Sequence, residues 1–223
     1  MDWLPFGVAF IAFFATHSIP VRPAVKSRLV AVLGPRGFSL AYSSLSLVML
    51  AMLIVVADSA PYVAVWDQAL WQRHAVLYGM LAVCLVAALA IGRPNPFSFG
   101  GAKNHRFDPA RPGVIRWSRH PLLWCLAFWA LLHLLPNGDL AHAILFGVFA
   151  GFSFLGMVLI DRRKRREFGH TAWRDLQHAV QAGPILPQPI SWQGAVVRSV
   201  AGLLVFLLLL GLHPAALGVS PLP

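Results

Sequence analysis

The chain alternates long apolar runs with short polar, basic stretches. Six runs approach the roughly 20 residues that a helix needs to cross a hydrocarbon core about 30 Å thick. They lie at Trp3 to Ile19, Phe38 to Ala57, Ala75 to Ile91, Pro121 to Pro136, Leu140 to Ile160 and Gly194 to Leu212. The fourth is the shortest, and Asn137-Gly138-Asp139 marks a turn that makes the fourth and fifth either two spans or one tight helical hairpin. The expected architecture is all-α: a polytopic transmembrane bundle of about six spans forming a single integral membrane domain over residues 1–223. Residues 170–223 make up a carboxyl-terminal interfacial segment and the last span.

Composition agrees with this pattern. Of the 223 residues 58% are hydrophobic and 12% charged, with a mean hydropathy of +0.68. That charged fraction is about half the usual share of a soluble domain. Asp2 opens the chain and no lysine or arginine precedes Arg22, unlike a cleaved signal peptide, so the first run is expected to stay as a helix. Cys84 and Cys125 both fall in apolar runs and read as small core residues.

A net charge of +10 invites a nucleic-acid reading until the charges are placed. Sixteen of the 18 basic residues occupy alternate loops, at Arg22 to Arg36, Arg93 to Arg119 and Arg162 to Arg174. Lysine and arginine in short loops mark the cytoplasmic side, so both termini are expected to face outward into the periplasm. The run Arg162-Arg163-Lys164-Arg165-Arg166 abuts a span and reads as a topology and headgroup anchor, with no nucleic-acid partner. Trp71 to Tyr78 echoes Trp117 to Trp124 over eight residues, which fits interfacial anchoring at two faces better than an inverted repeat.

Histidine is the informative residue type, because ionisable side chains inside a bilayer are costly and tend to face a bundle interior. His17 stands two residues before Ile19, where the first run ends and Pro20 follows. His120 precedes Pro121 at the basic-side start of the fourth run. His133 lies twelve residues further on in a stretch with no other ionisable group, and a neutral imidazole there suits a haem iron or another transition metal. Asp139 and His142 are close enough in sequence to assist it or to face water. No nucleophile elbow, phosphate loop, His-Glu-x-x-His or paired-cysteine motif is present, and Gly100-Gly101 reads only as a flexible loop.

Ser118-Arg119-His120-Pro121-Leu-Leu-Trp124, Trp129-Ala-Leu-Leu-His133-Leu-Leu-Pro-Asn137-Gly138-Asp139 and Leu145-Phe146-Gly147 resemble the NnrU family of bacterial inner-membrane proteins. Phe14-Ala-Thr-His17-Ser18-Ile19-Pro20, Leu33-Gly34 and Tyr42-Ser-Ser-Leu-Ser46-Leu match the same pattern, and the likeness covers residues 3–169. It implies a role in nitrite and nitric oxide metabolism during denitrification, among nitrogen-oxide respiratory components. The family is in turn similar to 15-cis-zeta-carotene isomerase, which holds haem b through histidines. That likeness implies His17 and His133 as haem iron ligands, with His120 as a further cofactor-binding residue. Those isomerases have a cysteine three residues before the buried ligand, where this chain has Ala130, so a thiolate redox switch is not expected.

Depth along the helices complicates the ligand pair. At 1.5 Å per residue His133 lies roughly 18 Å from the basic-side edge, while His17 lies close to that edge. Either the first helix sits deeper or continues past Pro20, or His17 pairs with His120, or the histidines do different jobs. Arg119-His120-Pro121, with Asp161 through Glu167-Phe168-Gly169 and Trp173, also resembles isoprenylcysteine carboxyl methyltransferase, which implies S-adenosylmethionine at the cytoplasmic interface. Those enzymes usually carry two adjacent glutamates, and here Glu167 stands alone. A non-enzymatic regulatory or assembly role is the third reading.

Overall fold

The computed structural model describes residues 2–186 and 188–223. Its described residues form seven α-helices and two short 3-10 turns: α1 Leu4–Ser18, α2 Pro23–Asp58, α3 Leu70–Ala90, the turns Asn104–Arg106 and Gly113–Arg116, α4 Pro121–Leu134, α5 Leu140–Phe168, α6 His170–Gln181 and α7 Trp192–Leu217. No strand is present among the described residues, apart from an isolated bridge between Ala64 and Asp139. Four helices, α2, α3, α5 and α7, are long and apolar enough to cross a membrane. α1 and α4, at 15 and 14 residues, cover about 21 to 23 Å and fall short of a full hydrocarbon core on their own.

Local chemistry sets the helix ends. Proline opens α1, α2 and α4 in the first turn, where a missing amide hydrogen costs nothing. Gln72 Oε1 accepts from the Ala69 amide at 2.7 Å at the start of α3, and Ser191 Oγ accepts from the Gly194 amide at 3.2 Å at the start of α7. Gly218, at φ 72°, ends α7 in the left-handed conformation. α2 is two helical pieces meeting at Gly34-Pro35, with Gly34 at φ 70° and ψ 166°. The break separates a basic first piece, with Lys26 and Arg28, from a second piece whose apolar run starts at Phe38, just after Arg36.

The chain divides into two compact units. The first comprises residues 1–66 and 138–145, in which α1 packs on α2 and the start of α5 meets the segment after α2. Val65 and Trp66 donate their amides to the Gly138 carbonyl at 2.7 and 3.1 Å, and Leu140 donates to Val63 at 2.9 Å. The second comprises residues 67–137 and 146–223. In it α4 packs antiparallel to α5 through Trp129 on Phe146 and Trp124 on Phe154, with ring centroids 5.5 Å apart in each pair. α3 packs on α4 and α7 packs on α3, where Gly202 brings the backbones close.

α6 was expected only as an interfacial segment. It is a helix whose Trp173, Leu176 and Val180 pack on Phe97, Phe107 and Ile115, forming a small apolar cluster at the basic end. Trp173 is 2% exposed there. The Gly100-Gly101 segment is tightly built rather than loose. Gly92 donates to the Gly100 carbonyl at 2.9 Å, Ala102 donates to the Arg93 carbonyl at 3.2 Å, and a side chain at Gly101 would meet backbone atoms of Asn95 and Arg93. The Trp71 and Trp117 echo does not extend to conformation, because Trp71 lies inside α3 and Trp117 precedes α4.

Candidate functional site

The three expected histidines each have their own partners. His133 stands in the last turn of α4, half-buried, with its ring 5.4 Å from Trp129 and 5.5 Å from Phe146. Its Nδ1 lies 2.8 Å from the Trp129 carbonyl oxygen. A carbonyl only accepts, so Nδ1 carries the hydrogen and the neutral ring keeps its lone pair on Nε2. Asn137 Nδ2 donates to the His133 carbonyl at 2.7 Å and closes the helix end. A neutral imidazole between aromatic walls, with one nitrogen fixed by the backbone and the other carrying a lone pair, could hold a transition metal.

His17 sits in the last turn of α1, its ring stacked on Phe13 with centroids 5.5 Å apart. The Tyr42 hydroxyl donates to the His17 carbonyl at 3.0 Å and lies 3.2 Å from Nδ1. The hydroxyl has one proton and gives it to the carbonyl, so it can only accept at Nδ1; the tautomer protonated there leaves the lone pair on Nε2, whereas donation from Ser46 selects the other. Ser46 Oγ is 3.4 Å from the same Nδ1. Tyr42 and Ser46, which entered the sequence reading only as pattern residues, therefore orient this imidazole.

His120 has a different setting. It is 4% exposed, with Nδ1 2.9 Å from Ser98 Oγ and Nε2 2.9 Å from Asp161 Oδ1. Arg119 grips the same carboxylate with Nη2 at 2.7 Å and Nε at 3.3 Å. Burial pushes the imidazole below its ordinary value, and the bond to Asp161 pushes back. In the neutral ring Nε2–H donates to the carboxylate and Ser98 donates to Nδ1. The order serine, histidine, aspartate matches a general-base relay, but Ser98 lines neither of the two cavities described in this unit. The cluster instead fastens the α3–α4 loop and the start of α4 to α5. With both ring nitrogens engaged, His120 could bind a metal only by giving up Ser98 or Asp161.

His120 and His133 flank one helix thirteen residues apart, about 20 Å along its axis, and cannot share one iron. His142 lies between two carboxylates, Asp139 Oδ2 at 2.7 Å from Nδ1 and Asp58 Oδ1 at 3.3 Å from Nε2. Glu167 is spent on surface pairs with Lys164 at 2.7 Å and Arg163 at 3.3 Å. Among the described residues no three histidine, cysteine, aspartate or glutamate side chains are grouped to hold a metal ion. Sequence reasoning missed Ser98 and the His120–Asp161 contact. Two signals pointed toward the latter: the methyltransferase resemblance groups Arg119-His120-Pro121 with Asp161, and Asp161 is the first charge after a long apolar run.

Long apolar helices with little buried surface, joined by basic loops and carrying histidines in shielded aromatic settings, define an all-helical membrane protein. The pattern of the NnrU protein family matches residues 5–221, nearly the whole sequence, and the chain belongs to that family. The match extends through α6 and α7, beyond residue 169 where the motif resemblance ends. No curated protein and no solved structure matches the chain.

Proposed function

We propose that this chain is a bacterial inner-membrane protein that binds haem b through His133 and serves nitrite and nitric oxide metabolism, as a redox enzyme or a sensor among nitrogen-oxide respiratory components. The observation that carries the reading is the His133 ring, whose Nδ1–H is committed to the Trp129 carbonyl at 2.8 Å. That bond selects the neutral tautomer and aims the Nε2 lone pair away from the α4 backbone. Trp129 and Phe146 shield the ring. In the first unit Tyr42 orients His17, the other histidine that the resemblance implies as a ligand. His120 acts as a fastener for the loop before α4 and not as an iron ligand.

Bound haem would supply one-electron chemistry and an iron site for a nitrogen-oxide ligand. The protein's part is to hold the imidazole neutral, orient it and keep water away from it. The same reading takes α1 and α4 as membrane-crossing with their flanking turns, giving six spans with both termini outward. Its support is the alternation of basic loops.

Titration of haem into the detergent-purified protein tests the site. A Soret band that saturates at one haem per chain, is lost in His133→Ala and returns on adding imidazole is the expected result. No saturable band in the folded wild-type protein would contradict it and favour a regulatory or assembly role.

A further inference from the structure

A cavity of about 290 Å³ opens at the basic end of the second unit, between the end of α3, the loop before α4 and the first turns of α7. Its walls are largely apolar and include Trp117 and Trp192. Arg93, Arg111 and Arg198 also line it, against a single carboxylate, Asp108. Asp108 Oδ1 accepts from the Ala110 amide at 2.9 Å, and no ion pair joins it to an arginine among the described residues. We propose that this cavity binds a phosphate-type oxyanion carried on an apolar body.

Among the described residues, Arg93 and Arg198 keep guanidinium donors uncommitted at this cavity. Arg198 donates through Nη1 to the Ala88 and Ile91 carbonyls at 2.9 and 2.7 Å, which anchors it on the end of α3. Its remaining donors make no hydrogen bond to a described residue. Arg93 is half-buried, and its guanidinium has no hydrogen-bond or ion-pair partner among the described residues. Burial lowers the Arg93 value, and the charge of Arg198 lowers it further. An oxyanion between these forks would compensate both charges at once.

Membrane topology asks for arginines somewhere in this loop. It does not ask for three of them around one apolar-walled cavity. Trp117 and Trp192, 58% and 71% exposed, suit the headgroup level of a bilayer, where polar and apolar parts of an amphiphile meet. The cavity is separate from the His133 site, because Pro121 lines it and His133 lies twelve residues further along α4, about 18 Å away.

A membrane phospholipid and a soluble phosphate ester share this chemistry, and binding experiments on the full-length, detergent-purified protein separate them. Native mass spectrometry and tryptophan fluorescence would follow phosphatidylglycerol, phosphatidylcholine and inorganic phosphate, for the wild type and for Arg111→Gln, Arg93→Gln and the double variant. Arg198 is left intact because it caps α3. The expected result is a preference of about tenfold for phosphatidylglycerol over phosphatidylcholine. Arg111→Gln, at an exposed position, weakens the preference, and the double variant abolishes it. Full competition by millimolar inorganic phosphate assigns a soluble ester as the source, and its failure to compete assigns a lipid. Equal binding of the two lipids together with no binding of inorganic phosphate, or a preference unchanged in both Arg111→Gln and the double variant, overturns the proposal. Because the cavity contains no histidine, its failure leaves the haem titration unaffected, and the reverse also holds.

Discussion

At the residue scale, two histidines on one helix show how surroundings separate roles. His133 has one nitrogen bonded to its own helix, whereas His120 has both nitrogens committed to other elements. His133 was legible in the sequence because it is the lone ionisable group in an apolar stretch. The fastening of His120 was not, since Asp161 lies 41 residues away and only the antiparallel packing of α4 and α5 brings it near. Asparagine at 161 keeps a single acceptor oxygen and loses the charge, so Arg119 and His120 must compete for it and face an added NH2 donor. Asp161→Asn is therefore expected to destabilise the protein by about 1 to 3 kcal/mol, read as a lower melting temperature in detergent, while leaving haem stoichiometry unchanged. A variant that melts normally but loses haem would give the cluster a direct role in the site.

Glycine and proline determine what the elements do beyond their hydrophobic pattern. The apolar runs predicted the helices well, but α5 continues past its apolar run through Phe168, with Arg163 and Lys164 paired to Glu167 along one helical face. The α6 helix was not legible as such, since its apolar positions gain meaning only against Phe97 and Ile115 in a distant loop. Gly202 was equally silent in sequence. A Cβ there would sit 3.0 Å from the Cys84 carbonyl oxygen and 3.1 Å from the Leu85 Cα, both backbone atoms that yield poorly. Gly202→Leu should push α7 off α3 at a cost of about 1 to 3 kcal/mol. Gly211→Leu, which meets nothing within 4 Å, should be nearly neutral. Equal melting temperatures for the two variants would show that α3 and α7 are not packed this way.

At the scale of the whole molecule, charge carries the message. The positive balance looks like a nucleic-acid signature until it is distributed over alternate loops, and the local structure gives several of those residues second duties. Arg119 holds Asp161, Arg198 caps α3, and Arg73, outside the basic loops, donates to the Ser220 and Leu222 carbonyls. α7 buries only Gly202 and presents leucine and valine around its circumference, a surface suited to hydrocarbon rather than water. The six-span reading predicts that alkaline phosphatase fused after Pro223 is active, and that a fluorescent protein fused at Arg174 glows on the cytoplasmic side. The opposite pattern at either position would reverse the topology.

The most direct test of the central claim is the dithionite-reduced absorption spectrum of the haem-loaded protein, measured beside His133→Ala, His17→Ala and His142→Ala. Sharp reduced bands that vanish in His133→Ala and persist in His142→Ala are the predicted result, with a changed spectrum in His17→Ala identifying the second ligand. Bands unchanged in a folded His133→Ala protein would remove His133 from the iron and contradict the account.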